Sequence, residues 1–229
     1  MTTATAAAVS AHDVYATARF NMVESQIRTN KVVDPALLAA LSRLPRQIFV
    51  PVELAGVAYV DKSLRIAPNR YLLEPLALAR LLQEAMISPS DTVLVIGAGT
   101  GYSAAIVADL AASVVAVESD AALADGARAN LAALAVANTV VHTGPLEQGY
   151  AASGPYDVIL IDGMIAELPK QIADQLADHG RLVTIQAQEG RTGAGMLYRK
   201  LGGSVSGRVL FDTVAPYLPG FEPRHAFAL

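Results

Sequence analysis

The sequence contains no cysteine, and this absence excludes several kinds of site. Without thiols the chain has no disulfides, no thiolate metal ligands and no cysteine nucleophile, which fits a reducing compartment. Histidine is also sparse, and the four residues are scattered at His12, His142, His179 and His225. Because none of them shows the i, i+4 spacing or the neighbouring acids of a zinc site, we predict no metal centre.

Long apolar runs and clustered charges are missing too. Hydrophobic residues make up 53% of the chain and its mean hydropathy is +0.38. Even so, no stretch approaches the ~20 uninterrupted apolar residues of a membrane helix. The 17 Lys and Arg residues against 21 Asp and Glu give a net charge of -4, without the basic run of a nucleic-acid binder. The first twenty residues lack the features of a secretory signal. We therefore expect a soluble cytoplasmic protein with no membrane and no nucleic-acid partner.

A repeating pattern of short apolar runs and helical stretches begins at Asp91. The runs are TVLVIG, SVVAVES, NTVVHTG, YDVILIDG and GRLVTIQA. Nearly continuous Val, Ile and Leu is typical of parallel strands buried on both faces. Residues 102–110, 121–134 and 167–178 are predicted as the intervening helices, the last ended by Gly180.

Near the C-terminus, MLYRKL and SVSGRVLF flank Gly202-Gly203, a pair suited to a two-residue hairpin turn. The predicted fold is therefore α/β, with a mostly parallel, doubly wound sheet and a C-terminal antiparallel hairpin.

The N-terminal third is predicted to form a helical cap. Residues 1–12 have the composition of a flexible tail, and a helix is expected over residues 14–28. Asp34 followed by Pro35 predicts an N-cap and the first turn of a second helix. One face of that helix carries Leu37, Leu38, Leu41 and Leu44. We expect residues 13–90 to form the cap and residues 91–229 a cofactor-binding domain, packed together as one unit.

The glycine loop lies in VLVIGAGTGYSAAIVA, residues 93–108. Dinucleotide-binding folds use G-x-G-x-x-G, whereas this loop has G-x-G-x-G, with Tyr102 directly after the last glycine. The shorter spacing is typical of loops that pass beneath the amino-acid part of S-adenosylmethionine, where glycine lets the backbone approach the ligand. The candidate loop residues are Gly97, Ala98, Gly99 and Gly101. Tyr102 is a further candidate, although packing in the core is the favoured interpretation for an aromatic residue here.

Two acids end neighbouring predicted strands. Glu118 follows Gly99 by 19 residues and ends SVVAVES, where a carboxylate can accept hydrogen bonds from ribose hydroxyls. Asp162 ends the strand in DVILIDG. It faces the methyl donor or the substrate, or else it is a turn residue before Gly163. Ser103 does not lie in G-x-S-x-G, so the sequence gives no support for a nucleophile elbow.

Several segments together resemble the protein-L-isoaspartate O-methyltransferase family. They include MVESQIRTNKVVDPALLAALSRLPRQIFVP, AYVDKSL, EPLALARLL, the glycine loop and PYDVILIDGMIAELP. The resemblance implies a Rossmann-like class I methyltransferase fold and S-adenosylmethionine as cofactor, with S-adenosylhomocysteine as product. It also implies carboxyl methylation of isoaspartyl residues in damaged proteins or peptides, a first step of protein repair.

The chain departs from the family pattern at three positions. Leu73 stands where the family has a serine in its T-x-S-x-P-like segment. Val95 replaces an acid before the glycine loop, which in the family helps to hold the methionine ammonium group. Pro145 replaces an acid expected near the adenine. These changes leave three functions open: isoaspartyl methylation, methylation of another protein group or a small-molecule acceptor, and a non-catalytic adenosyl- or partner-binding module.

Glu74, beside the missing serine, suggests a hypothesis of its own. It either pairs with the ligand ammonium in place of the acid lost at Val95, or acts as a base for a neutral acceptor. The simpler interpretation is that it occupies the start of the helix at Pro75, where a negative charge favours the helix dipole. Arg65, Asn69 and Arg70 precede it, as anion-binding residues or, more simply, as a solvated loop.

Overall fold

The computed structural model describes residues 11–188 and 192–223. Its helices are α1 (Ala11–Asn21), α2 (Pro35–Arg43), α3 (Pro75–Ala85), α4 (Tyr102–Ala108), α5 (Ala121–Ala133) and α6 (Lys170–Ala173). Its strands are β1 (Leu64–Ala67), β2 (Arg70–Leu72), β3 (Thr92–Ile96), β4 (Ser113–Glu118), β5 (Thr139–Thr143), β6 (Tyr156–Ile165), β7 (Leu176–Gln186), β8 (Ala194–Leu201) and β9 (Ser204–Asp212).

A seven-stranded sheet in the order β5-β4-β3-β6-β7-β8-β9 organises the molecule. The first five of these strands run parallel, and β8 and β9 are antiparallel additions at one edge. The chain moves outward from β3 to β5 and then returns to β6 on the other side of β3. The carboxyl ends of β3 and β6 therefore form the topological switch point, where open α/β sheets bind ligands. The predicted doubly wound, mostly parallel sheet is confirmed.

Alternate residues of the central strands enter two different cores. Val93 and Val95 of β3 belong to a large cluster that also contains the cap leucines, including Leu41 and Leu78. Leu94 and Ile96 belong to a second cluster on the opposite face of the sheet, together with residues from β6 and α6. The cap and one face of the sheet thus share a single hydrophobic core.

The C-terminal hairpin forms as predicted. Leu201 pairs with Ser204, so that Gly202 and Gly203 are the two turn residues. Their φ angles are 55° and 80°, and a two-residue turn with two positive φ values matches the twist of the strands it joins.

The prediction of a helix over residues 167–178 is wrong. β6 continues to Ile165, α6 covers only Lys170–Ala173, and β7 already begins at Leu176. Pro169 sets the helix start because proline is tolerated at a helix terminus but not in the interior. Leu176 is buried and pairs with Tyr156 of β6, so tertiary packing draws the end of the predicted helix into the sheet.

The cap contains a hairpin that the sequence patterns did not predict. β1 and β2 pair as a separate two-stranded antiparallel sheet, with Asn69 at φ 56° in the turn. The first predicted helix corresponds to α1 and a π-helical continuation through Ile27. Asp34 caps α2 by accepting a hydrogen bond from the Leu37 amide at 2.9 Å, as predicted. Residues 1–10 of the expected tail, and His225, lie outside the described residues.

No helix within residues 11–188 and 192–223 is both long and apolar enough to cross a membrane.

Candidate cofactor-binding site

The glycine loop joins β3 to α4 and is held from both sides. Gly97, Gly99 and Gly101 have φ angles of 82°, 56° and 98°, which L-residues with a Cβ rarely adopt. The amides of Gly97 and Ala98 donate to the Val117 carbonyl of β4 at 2.9 and 3.1 Å. The Thr100 hydroxyl donates to the Phe49 carbonyl of the cap at 2.6 Å. The loop backbone is therefore fixed in one conformation by the cap and by β4.

Glu118 ends β4 directly beside this loop and is completely buried. Its carboxylate accepts hydrogen bonds from the amides of Gly99 at 2.7 Å, Ser119 at 2.9 Å and Asp120 at 3.1 Å. It also forms a bidentate ion pair with Arg70, in which Nε donates to Oε1 at 3.2 Å and Nη2 donates to Oε2. Every lone-pair position of the carboxylate, about four in total, is engaged.

Asp162 is brought toward the loop by an irregularity in β6. Leu160 pairs with Val183 and Met164 with Ile185, so three residues of β6 oppose Thr184 alone. Such bulges often lie beside functional sites, where they change the direction of a side chain. Asp162 is 6% exposed, and its Oδ1 has no hydrogen-bond partner in the described part of the chain. Burial raises the pKa of this carboxyl to about 6.

Tyr102 lies beneath the loop in the core. Its ring is fully buried, meets Phe49 edge to face at 5.2 Å between centroids, and has the Arg46 guanidinium 4.7 Å above it. Arg46 donates to the carbonyls of Ala58 at 2.7 Å and Leu73 at 2.5 Å. The PRQIFVP segment therefore supplies a buried cation that fixes the cap turns against α4.

Glu74 precedes α3 at its N-cap position, but its side chain makes no capping hydrogen bond. It accepts a hydrogen bond from the Thr213 hydroxyl at 3.1 Å. Burial, and to a smaller extent the charge of Asp61, raise the pKa of Glu74, while the Thr213 contact opposes the increase. The neighbouring Leu73 is buried and lines a small cavity of about 10 Å³ together with Arg70 and Asp162.

Val95 and Pro145, the other two departures from the family pattern, differ in solvent exposure. Val95 is fully buried in β3, and Pro145 is an exposed residue in the turn after β5. Neither side chain offers an oxygen to a ligand. Among the described residues, no group of three or more His, Asp or Glu side chains is arranged to hold a metal ion.

The donors and acceptors at the switch point fit an adenosyl ligand chemically. Glu118 provides a carboxylate for vicinal hydroxyls, and Asp162 provides a buried oxygen without a partner beside Gly163. The loop glycines carry no side chain that would keep a ligand from the backbone, but Gly97, Gly99 and Gly101 are buried in this structure. The protein's own side chains approach the same surface: a Cβ on Gly97 would lie 2.9 Å from Leu218 Cδ2, and one on Gly99 would lie 2.8 Å from Ile66 Cδ1.

Comparison with known families decides which ligand chemistry applies. A model of the family described as protein-L-isoaspartate (D-aspartate) O-methyltransferase matches residues 18–217. The chain belongs to this family. Members of the protein-L-isoaspartate O-methyltransferase family are S-adenosylmethionine-dependent enzymes, which agrees with the predicted cofactor and reaction class.

Two relatives illustrate the degree of similarity. A protein-L-isoaspartate O-methyltransferase of Methanoculleus marisnigri is 42% identical over 165 residues, covering 72% of this chain and 75% of that protein. Protein-L-isoaspartate O-methyltransferase 1 of Rhodopseudomonas palustris is 38% identical over 169 residues, covering 74% of this chain and 69% of its own length.

Solved structures confirm the Rossmann-like methyltransferase fold. A protein-L-isoaspartate O-methyltransferase superposes with a TM-score of 0.75 at 24% identity, covering 88% of this chain and 66% of the other. A second, from Plasmodium falciparum in complex with S-adenosyl-L-homocysteine, gives 0.73 at 18% identity, covering 89% of this chain and 98% of the other.

Most of the predicted site residues converge in the structure, and Arg70, one of the candidate anion-binding residues, has a partner that the sequence did not indicate. Gly97, Ala98, Gly99, Gly101, Glu118 and Asp162 all lie at the carboxyl ends of β3, β4 and β6. Glu74 contacts Thr213 instead. Arg70, which the simpler interpretation placed in a solvated loop, is 3% exposed and bound to Glu118. The two residues are 48 positions apart, and no local sequence pattern signals their pairing.

Proposed function

We propose that this chain methylates carboxyl groups of protein substrates, with isoaspartyl residues as the default acceptor, through the family's cofactor. The observation that carries the proposal is the convergence of the glycine loop, Glu118 and Asp162 at one switch point. S-Adenosylmethionine supplies a methyl group activated on a sulfonium centre. A carboxylate acceptor is already ionised at neutral pH, so the chain needs to position it and exclude water but needs no strong base.

The chain's acids would have distinct roles in this site. Glu118 would accept hydrogen bonds from the two ribose hydroxyls, because its carboxylate already faces the glycine loop. Asp162 would hold the methionine ammonium group in place of the acid lost at Val95. Its unpartnered Oδ1 supports this assignment, since a buried acceptor without a partner is costly unless a ligand satisfies it.

A second acceptor class is favoured by the segment at Leu73. The family's serine is a buried leucine here, and the adjacent Glu74 adds a negative charge that repels a carboxylate acceptor when ionised. A neutral hydroxyl or amine, on a protein or a small molecule, would avoid that repulsion. The half-buried Glu74, with its raised pKa, would then be the candidate base.

Calorimetric titration with S-adenosylhomocysteine, followed by a methyl-transfer assay, tests the proposal. We expect the Glu118→Gln and Asp162→Asn variants to bind about 10- to 100-fold more weakly than the parent, the usual value of a hydrogen bond to a charged group. Asp125→Asn, which changes an exposed acid, is the matched control and should bind like the parent.

The assay compares an isoaspartyl peptide with its aspartyl counterpart. Methyl transfer to the isoaspartyl peptide alone supports the default acceptor, and Leu73→Ser should increase it. Cofactor binding without transfer to either peptide would contradict carboxyl methylation and leave the neutral acceptor. If neither the parent nor a variant without the Arg70 side chain binds the ligand at millimolar concentration, both methyltransferase functions are refuted.

A further inference from the structure

Arg70 and the ribose hydroxyls of an adenosyl ligand require the same two oxygens of Glu118. In the structure its carboxylate is shared between three backbone amides, the Ser119 hydroxyl and the forked guanidinium of Arg70. A ribose diol and a guanidinium both present two parallel donors to a carboxylate, and a carboxylate that already accepts six hydrogen bonds has no position left. The two partners therefore exclude one another.

The β1-β2 hairpin brings Arg70 to this position. Arg70 is the first residue of β2 and follows Asn69, whose left-handed φ of 56° closes the turn. Ile66 of β1 packs on Gly99. Arg70 Nη2 would lie 3.6 Å from a Cβ on Gly97 and 3.9 Å from a Cβ on Gly99. The hairpin thus covers the same backbone surface that the glycines leave open.

A second segment covers the remaining part of the site. Leu218 lies against both Gly97 and Gly163, where an added Cβ would be 2.9 and 2.4 Å away from its side chain. The Leu218 amide donates to the Met164 carbonyl at 2.9 Å, which holds the segment to β6. Unlike Arg70, Leu218 brings no charge, so it can be displaced without leaving an unpaired ion.

We propose that Arg70 is an internal competitor for the ribose-binding acid, and that an adenosyl ligand binds only when Arg70 leaves Glu118. The inference rests on the proposed use of Glu118 by the cofactor. If the open form is a minor fraction of the protein, the apparent dissociation constant exceeds the intrinsic one by the reciprocal of that fraction. Arg70 therefore sets the cofactor affinity without contacting the bound cofactor.

Titration of four proteins with S-adenosylhomocysteine tests this inference. They are the parent, Arg70→Gln, Arg28→Gln and the double variant Arg70→Gln/Glu118→Gln. Arg28 forms an exposed ion pair with Glu24, so its variant removes the same charge and the same type of pair away from the site. We expect Arg70→Gln to bind the ligand at least 10-fold more tightly than the parent does. Arg28→Gln should bind like the parent, and the double variant should bind no more tightly than the parent.

An equal or weaker affinity of folded Arg70→Gln would overturn the inference, as would a gain that persists without Glu118. Absence of binding by both the parent and Arg70→Gln would overturn it as well. Tighter binding by Arg70→Gln without methyl transfer to any carboxyl peptide would leave the inference standing and refute the proposed activity instead.

A second readout uses the parent itself, in case loss of Arg70 prevents folding. Arg70 Nε is buried and hydrogen-bonded, so with ¹⁵N-labelled arginine its N–H signal should be protected from exchange. Saturating S-adenosylhomocysteine should shift this signal and remove its protection, while the Arg181 signal, from a partly buried ion pair, stays unchanged. An Arg70 signal that remains protected in the saturated complex would overturn the inference.

Discussion

Asp162 combines a structural cost with the binding role that we propose for it. It is a buried carboxyl with an unpartnered oxygen, and burial is the largest cause of its raised pKa. The neighbouring Ser103 hydroxyl and the charges of Arg70 and Arg46 lower the pKa again only in part. A group that is hard to ionise in the folded protein is well suited to a cationic partner, which would favour the carboxylate.

This property predicts a pH-dependent stability difference between the parent and Asp162→Asn. The folded pKa of about 6 lies above the ordinary value of 3.8, so the folded state binds this proton more tightly than the unfolded state. Ionisation therefore destabilises the parent, and the loss develops as pH rises from about 4 to above 6. The unfolding free energy of Asp162→Asn should gain about 3 kcal/mol relative to the parent over that range.

Urea unfolding at about pH 4 and pH 7 measures the difference, with Asp125→Asn as an exposed control. A difference that stays constant with pH would mean that Asp162 ionises normally in the folded protein.

At the scale of elements, the loop between β3 and α4 depends on a conformation that only glycine adopts easily. Gly101 has a φ of 98°, and a Cβ there would lie 3.2 Å from the Cβ of Ala127 on α5. We expect Gly101→Ala to reduce the unfolding free energy by about 1–3 kcal/mol because it strains the backbone and crowds α5.

Gly126→Ala provides the matched control for this prediction, again by urea unfolding. Gly126 lies inside α5, and a Cβ there would meet nothing within 4 Å. This substitution should stabilise the protein by about 0.5–1 kcal/mol, the propensity difference between alanine and glycine. Equal effects of the two substitutions would contradict the argument from Gly101.

The elements that sequence patterns identified are those with strong local signals. Continuous apolar runs located β3 to β7, Asp34-Pro35 located the start of α2, and Gly202-Gly203 located the last hairpin. β1 and β2 were missed because strands of four and three residues carry too little periodicity. The helix over residues 167–178 failed because burial of Leu176 against β6 outweighed a helical pattern.

In the site, too, sequence patterns located the residues with local signals and missed the contact that depends on the fold. Glu118 and the glycines follow from their spacing along β3 and β4. The position of Arg70 depends on a hairpin that folds back over the sheet, a contact that local sequence does not encode.

At the scale of the whole molecule, Arg181 connects the cap to the sheet. From β7 it donates to the carbonyls of Ala85 at 2.9 Å and Met86 at 2.8 Å, at the end of α3. It also pairs with the buried Asp91, just before β3, at 2.6 Å. One guanidinium of β7 therefore holds both the end of α3 and the residue before β3, which lie about ninety positions earlier in the chain.

We expect Arg181→Met to cost about 2–4 kcal/mol of unfolding free energy, because Asp91 and the α3 carbonyls lose their partner. Arg208→Met breaks an exposed pair with Glu84 and should change stability by less than about 1 kcal/mol. Thermal or urea unfolding compares the two variants with the parent. A loss no larger for Arg181→Met than for Arg208→Met would contradict this role.

The ion pair between Arg70 and Glu118 also affects how ligands of this protein are found. A ligand that replaces Arg70 gains the carboxylate but gives up an existing bidentate pair, so its net stabilisation of the fold is the difference between the two. The increase in melting temperature follows this net affinity, so ligands that enter the ribose position would score below the value of their own contacts with Glu118. Compounds that bind elsewhere on the surface, without breaking that pair, carry no such cost.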